Sequence, residues 1–192
     1  MYTINNNYKE ELVIKNSKFI TFLCKTNNID DVPNIIDTIK KEYIDATHYC
    51  YAYVINNQKK SSDDGEPSGT AGIPILKVVD ANDLTNILVV VVRYFGGIKL
   101  GANGLIRAYT KCVANAIQKV TLKELIKGYN VNIIFNYNRI KEIDYLLKDI
   151  KVINKQFNDT VTYNIDITHE KLKRIKELNV EYIINKEIII EK

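Results

Sequence analysis

The 192-residue chain has no tryptophan, one methionine, three prolines and three cysteines. Cys24, Cys50 and Cys112 are scattered and form no Cys-x-x-Cys pair, which argues against a disulfide framework and fits reduced thiols. His48 and His169 are the only histidines, too few for a histidine-based zinc site. Arginine is confined to Arg93, Arg107, Arg139 and Arg174. The longest apolar run, Ile87 to Val92, is far too short to span a bilayer, so no membrane partner is expected. Residues 1–7 lack the basic and apolar regions of a signal peptide, and the expected location is the cytoplasm. Neither internal repeats nor a low-complexity linker interrupt the chain.

What is present is the composition of an ordinary globular protein, 46% hydrophobic and 26% charged. The length accommodates one large domain or two small ones. The net charge is +4. Residues 1–127 carry 16 bases and 13 acids (+3), and residues 128–192 carry 11 and 10 (+1). So mild an excess permits a polyanionic partner without requiring one. Abundant Ile, Asn and Lys match A/T-rich codons, which discounts the excess further.

Periodicity organises the chain. Residues 11–26 read as two strands broken near Asn16-Ser17, followed by a helix capped by Asp30 or Asp31, with Val32, Ile35, Ile36, Ile39 and Tyr43 at three- and four-residue steps. Residues 49–55 are aromatic and β-branched, as in a strand. Residues 56–72 read as a loop, and 73–79 as a short helix that Thr70 would cap. Ile87 to Val92 has the pattern of a strand buried on both faces. A turn through Gly96-Gly97 then leads into a helix with Leu105, Ile106, Tyr109, Val113, Ala116 and Ile117 on one side. Beyond it, strand 131–135, a helix with Ile140, Ile143, Leu147 and Ile150, a hairpin of 152–157 and 161–167, a helix with Leu172, Ile175 and Leu178, and strand 182–190 follow the ferredoxin-like order βαββαβ. The expected fold class is α+β, with a domain over residues 1–127 and a second over 128–192.

Two segments carry most of the chemical signal. In Val92 to Tyr109 a strand ends, Gly96, Gly97, Gly101 and Gly104 follow, and a helix starts. Glycines let amides approach a ligand closely, and a helix N-terminus leaves N–H donors unpaired. With Arg93, Lys99, Asn103 and Arg107 they form a candidate anion or nucleic-acid site. The spacing matches neither the P-loop nor the dinucleotide fingerprint, and the same glycines serve a tight strand-to-helix turn equally well. In the second segment, Asp63, Asp64 and Glu66 offer oxygen ligands for Mg²⁺ or Ca²⁺, or partners for Arg93 or Arg107 across a cleft. Yet Asp-Gly, Glu-Pro and Ser-Gly are ordinary turn formers, and whether a metal binds stays open.

Two weaker features complete the inventory. His48 and Cys50 share a strand face, as a nucleophile pair requires, but no third orienting group is evident. Tyr49, Tyr51 and Tyr53 also share a face, either to stack bases or to fill a core.

The stretches Asp45 to His48, Asp63 to Gly72 and Arg93 to Gly101 closely resemble the IMPACT/YigZ family, in the family's order and over essentially the whole chain. Asn103 stands where the family usually has glycine; asparagine tolerates left-handed backbone angles better than most residues. The resemblance implies a first domain similar to the second domain of ribosomal protein S5 and a ferredoxin-like second domain, a pairing similar to the last two domains of the translocation elongation factor. Eukaryotic relatives are implicated in translational control through protein partners of a stress-responsive kinase. Some members have carried peptidase labels, which no metal-ligand or nucleophile set in this sequence supports.

The expectation is a non-enzymatic, translation-associated protein without a cofactor, binding RNA or a ribosomal surface through Arg93, Gly96, Gly97, Lys99, Gly101, Asn103, Gly104 and Arg107. The alternatives are a Mg²⁺-dependent nucleotide or phosphate-ester enzyme using the same turn, and a protein-docking module.

Overall fold

The computed structural model describes residues Met1–Lys192. It has the mixed α+β architecture expected of the sequence, divided into compact units Met1–Lys123 and Glu124–Lys192.

In the first unit, β1 (Tyr2–Ile4) is followed by the hairpin β2 (Tyr8–Ile14) and β3 (Ser17–Lys25), turning through Lys15 and Asn16 in left-handed conformations. Then come α1 (Asp31–Glu42), β4 (His48–Ile55), β5 (Gln58–Ser62), α2 (Gly72–Ala81), β6 (Ile87–Tyr94) and α3 (Ala102–Gln118). The main sheet runs β2-β3-β6-β4-β5, every neighbour antiparallel. β6 lies at its centre, and Ile87 to Val92 are all fully buried, as their unbroken apolar run demands. Val89 and Val91 pack with Phe19 and Leu23 against α2 and α3, while Leu88, Val90 and Val92 pack with Ile20 and Cys24 against α1. Helices therefore cover both faces of the sheet, and each buried branched side chain contributes about 1.5–3 kcal/mol.

In the second unit, β7 (Leu122–Phe135) begins just before the unit boundary. After a 3-10 turn (Tyr137–Arg139) come α4 (Ile140–Leu146), β8 (Lys151–Phe157), β9 (Val161–Thr168), α5 (His169–Glu177) and β10 (Glu181–Glu191). The strands run β10-β7-β9-β8, all antiparallel. Val131, Ile133, Phe135, Val161, Tyr163, Ile165 and Ile167 form a core with Ile143, Leu172 and Ile175, while the intervening polar residues point away.

Several local expectations are corrected. Residues 58–62 are not loop: β5 pairs with β4 as an edge strand, and its all-polar sequence offered no alternation to read. Asp30 stands at the N-cap position of α1, as expected, but its side chain makes no capping hydrogen bond; Thr70 does not cap α2, its hydroxyl donating instead to the Pro67 carbonyl at 2.6 Å. Ile106 is 38% exposed because the buried stripe of α3 runs through Leu105, Tyr109, Cys112, Val113 and Ala116, one position out of phase with it. No helix is long and apolar enough to cross a membrane.

Candidate functional site

The three family-like stretches converge at one end of the main sheet. His48 opens β4 and lies opposite Arg93 near the end of β6. The segment after β5 folds back across them, and the glycine turn leaves β6 beside them.

Each acid of that segment has an internal role. Asp63 Oδ1 accepts the amides of Ala71 at 2.9 Å and Gly72 at 2.8 Å, and its Oδ2 accepts the Gly69 amide at 2.8 Å. It therefore caps α2 from eight residues upstream of Ala71. Burial opposes ionisation of its carboxyl, but these three backbone donors prevail and hold it below the usual aspartate range. Asp64 Oδ2 accepts the Tyr49 amide at 2.7 Å, and its carbonyl accepts from His48 Nδ1 at 2.8 Å. That bond fixes a proton on Nδ1, since a carbonyl can only accept.

Glu66 is the hub. Its buried Oε1 accepts from Arg93 Nη1 at 2.6 Å and from the Tyr109 hydroxyl at 2.7 Å, while its Oε2 lies 3.7 Å from His48 Nε2. Arg93 is 4% exposed, with Nη2 reaching Ser17 Oγ at 3.3 Å and the guanidinium over the rings of Phe19 and Phe95. The arrangement ties β3, β4, β6, α3 and the acidic segment together through one carboxylate. Removing either charge would leave the other buried and uncompensated, which makes the pair a lock on the geometry.

Cys50 is fully buried, its thiol 2.9 Å from the Asp63 carbonyl oxygen and 3.3 Å from the Tyr109 hydroxyl. Burial pushes that thiol up to about 12 and the Tyr109 phenol above its ordinary value. A thiol held protonated is not a nucleophile, so the His48–Cys50 reading ends in packing.

The glycine turn divides in two. Gly96 faces inward: its amide donates to Ser17 Oγ at 3.2 Å, and a Cβ there would lie 2.0 Å from the Asn16 carbonyl carbon. No side chain fits so close an approach. Gly97 and Gly101 adopt φ of 82° and 70° with open space around them, and Gly101 precedes the first turn of α3 without a side-chain cap. From Gly97 to Asn103 only Leu100 is partly covered; Lys99 and Arg107 are exposed, as are Phe95 and Ile98 at 46% each.

The structure therefore sorts the residues expected to form an anion site. Lys99, Gly97, Gly101, Asn103 and Arg107 lie on an open surface, with Gly104 partly covered beneath them. Arg93 and Gly96 are turned inward and engaged, and of the acids only Glu66 meets a basic residue of the turn. Sequence reasoning missed Ser17 and Tyr109, whose hydroxyls complete the cluster. A serine in a hairpin and a tyrosine on an apolar helix stripe carry no signal until the fold brings them together.

Two pinned tyrosines flank a half-buried one on the opposite face of β4. The Tyr49 hydroxyl donates to the Tyr43 carbonyl at 2.6 Å, and Tyr53 is 8% exposed in the core beneath α1.

Residues 15–117 match the Impact N-terminal domain. The chain is 34% identical to the IMPACT family member YvyE of Bacillus subtilis over 99% of this chain and 90% of that protein. A solved structure described as a hypothetical protein superposes with a TM-score of 0.68 at 29% identity, covering 96% of this chain and 97% of that one. A partial likeness, TM-score 0.37 at 21% identity over 62% of this chain and 46% of the other, is to Yih1, described as a two-domain translational regulator. The domain match and the near full-length similarity to YvyE lead to one conclusion: the chain belongs to the IMPACT family.

Proposed function

We propose that the protein is a cytoplasmic, non-enzymatic factor that binds RNA on or near the ribosome through the open half of the glycine turn. The observation that carries this reading is the contrast within one motif: Arg93 and Gly96 brace the turn from inside, while Gly97, Lys99, Gly101, Asn103 and Arg107 stand clear of the protein. Lys99 and Arg107 supply cations for phosphate, and glycines without neighbours let a backbone come close. Phe95, half exposed and carrying the Arg93 guanidinium 5.7 Å from its ring centroid, offers a stacking surface. The translational setting rests on the family resemblance.

The Mg²⁺-enzyme alternative finds less support. Asp63 is occupied by three backbone amides and Glu66 by Arg93 and Tyr109, so neither carboxylate is free to serve a metal without dismantling α2's cap or the buried pair.

Ribosome co-sedimentation and fluorescence titration with single-stranded RNA test the proposal. Binding should weaken with salt by a log–log slope of about −0.7 per phosphate contact. Lys99→Ala/Arg107→Ala should lower both the affinity and that slope. Binding that is unaltered in the double variant rejects this surface.

A further inference from the structure

A cleft of about 410 Å³ lies on the opposite face of the main sheet from α2 and α3, between α1 and the β4–β5 edge. Its volume falls within the roughly 300–1,000 Å³ of small-molecule sites. The walls are apolar on the α1 side, with Val32, Pro33 and Ile36, and aromatic on the sheet side, with Tyr51. Four charged side chains line it: Lys40 and Lys60, and Asp37 and Asp64.

The polar ends there are largely uncommitted. Tyr51 is half buried and, unlike Tyr49, its hydroxyl has no hydrogen-bond partner. Lys60 is exposed and makes no ion pair, whereas Lys59 beside it pairs with Asp80 on the other face of the strand at 2.8 Å. Lys40 lies over the Tyr49 ring, 5.3 Å from its centroid, and has no carboxylate partner. Asp64 uses only Oδ2, on the Tyr49 amide, which leaves Oδ1. A site with an aromatic face, two lysines without ion-pair partners and carboxylates at Asp37 and Asp64 is complementary to one kind of molecule in particular. An aromatic base would stack on Tyr51, a phosphate would meet Lys40 and Lys60, and sugar hydroxyls would donate to Asp64.

We propose that this cleft binds a single nucleoside monophosphate unit, whether as a free nucleotide or as one nucleotide of an RNA strand. It is separate from the glycine turn, which leaves β6 on the side of α3.

Calorimetric titration of the full chain with AMP, adenosine and inorganic phosphate tests the assignment. AMP should bind more tightly than either fragment. Tyr51→Ala should weaken it on the order of tenfold, the scale of one lost base–aromatic stack. Exposed Lys60→Glu, which leaves the core untouched, should weaken AMP binding and leave adenosine unchanged, while Lys99→Ala/Arg107→Ala should alter neither. Displacement of AMP by a trinucleotide identifies the source as a strand, and failure to displace identifies it as the free nucleotide. No AMP binding at millimolar concentration overturns the proposal, as does AMP affinity preserved in Lys60→Glu but lost in Lys99→Ala/Arg107→Ala. Because the two sites carry different variants, failure here leaves the glycine-turn reading to its own test.

Discussion

Arg93 and Arg107 flank the same glycine turn and carry the same charge, yet one is inside the molecule and the other outside. Arg93 closes a buried ion pair with Glu66 at 2.6 Å; Arg107 projects from the exposed side of α3. The glycines repeat the contrast, Gly96 packed against the Asn16-Ser17 backbone and Gly97 and Gly101 open. A motif that reads as one binding loop is thus two devices in series, an anchor and a presentation surface. The anchor's residues act on stability, and the surface's residues act on partners.

That division can be broken from either side. Glu66→Ala has the largest expected effect, since it strands the Arg93 guanidinium in the core; a loss of about 3–5 kcal/mol is expected in denaturant unfolding. An unchanged midpoint would mean that Arg93 escapes to solvent. Gly96→Ala comes next: its Cβ meets backbone atoms that have no rotamer to adjust, so overpacking of about 1–3 kcal/mol should appear as a lowered Tm.

Asp63→Asn tests the remote cap. Losing the charged acceptor should cost about 1 kcal/mol at neutral pH. Because the folded carboxyl titrates below its unfolded value, the cap's contribution is fully present above the unfolded aspartate range and is lost as pH falls through the folded pKa. Wild type should therefore lose more stability than Asp63→Asn when taken from neutral pH into that acid range, and parallel pH curves would refute the assignment. Lys99→Ala/Arg107→Ala should have the smallest stability effect, within about 0.5 kcal/mol. The same variant should have the largest effect on RNA binding, and a large change in its melting temperature would dissolve the distinction between anchor and surface.

Much of this architecture is legible in the residue pattern. The six apolar residues of β6 and the alternation of β9 follow directly from periods that only a buried or half-buried strand satisfies. The stripe along α3 is equally plain apart from Ile106, which a phase error of one residue moved into solvent. β5 is the counterexample: nothing in Gln-Lys-Lys-Ser-Ser announces a strand, and its form comes from the ladder that β4 offers. At the site, the glycine turn and the acidic segment both stand out by composition, but their division of labour does not.

The sequence by itself determined the succession of the apolar strands and helices, though not of β1 or the polar β5, because hydrophobic periodicity is a local property of the chain. It also determined which stretches were chemically unusual. Only the tertiary structure decided that Asp63 caps a helix eight residues away, that Glu66 holds Arg93 and Tyr109, and that the cations nearest the turn divide into buried and free. Those outcomes depend on distances between residues far apart in the chain, Ser17 to Arg93 and Glu66 to Tyr109. Burial, which sets the cost of an unpaired charge, exists only once the sheet and helices have closed around it.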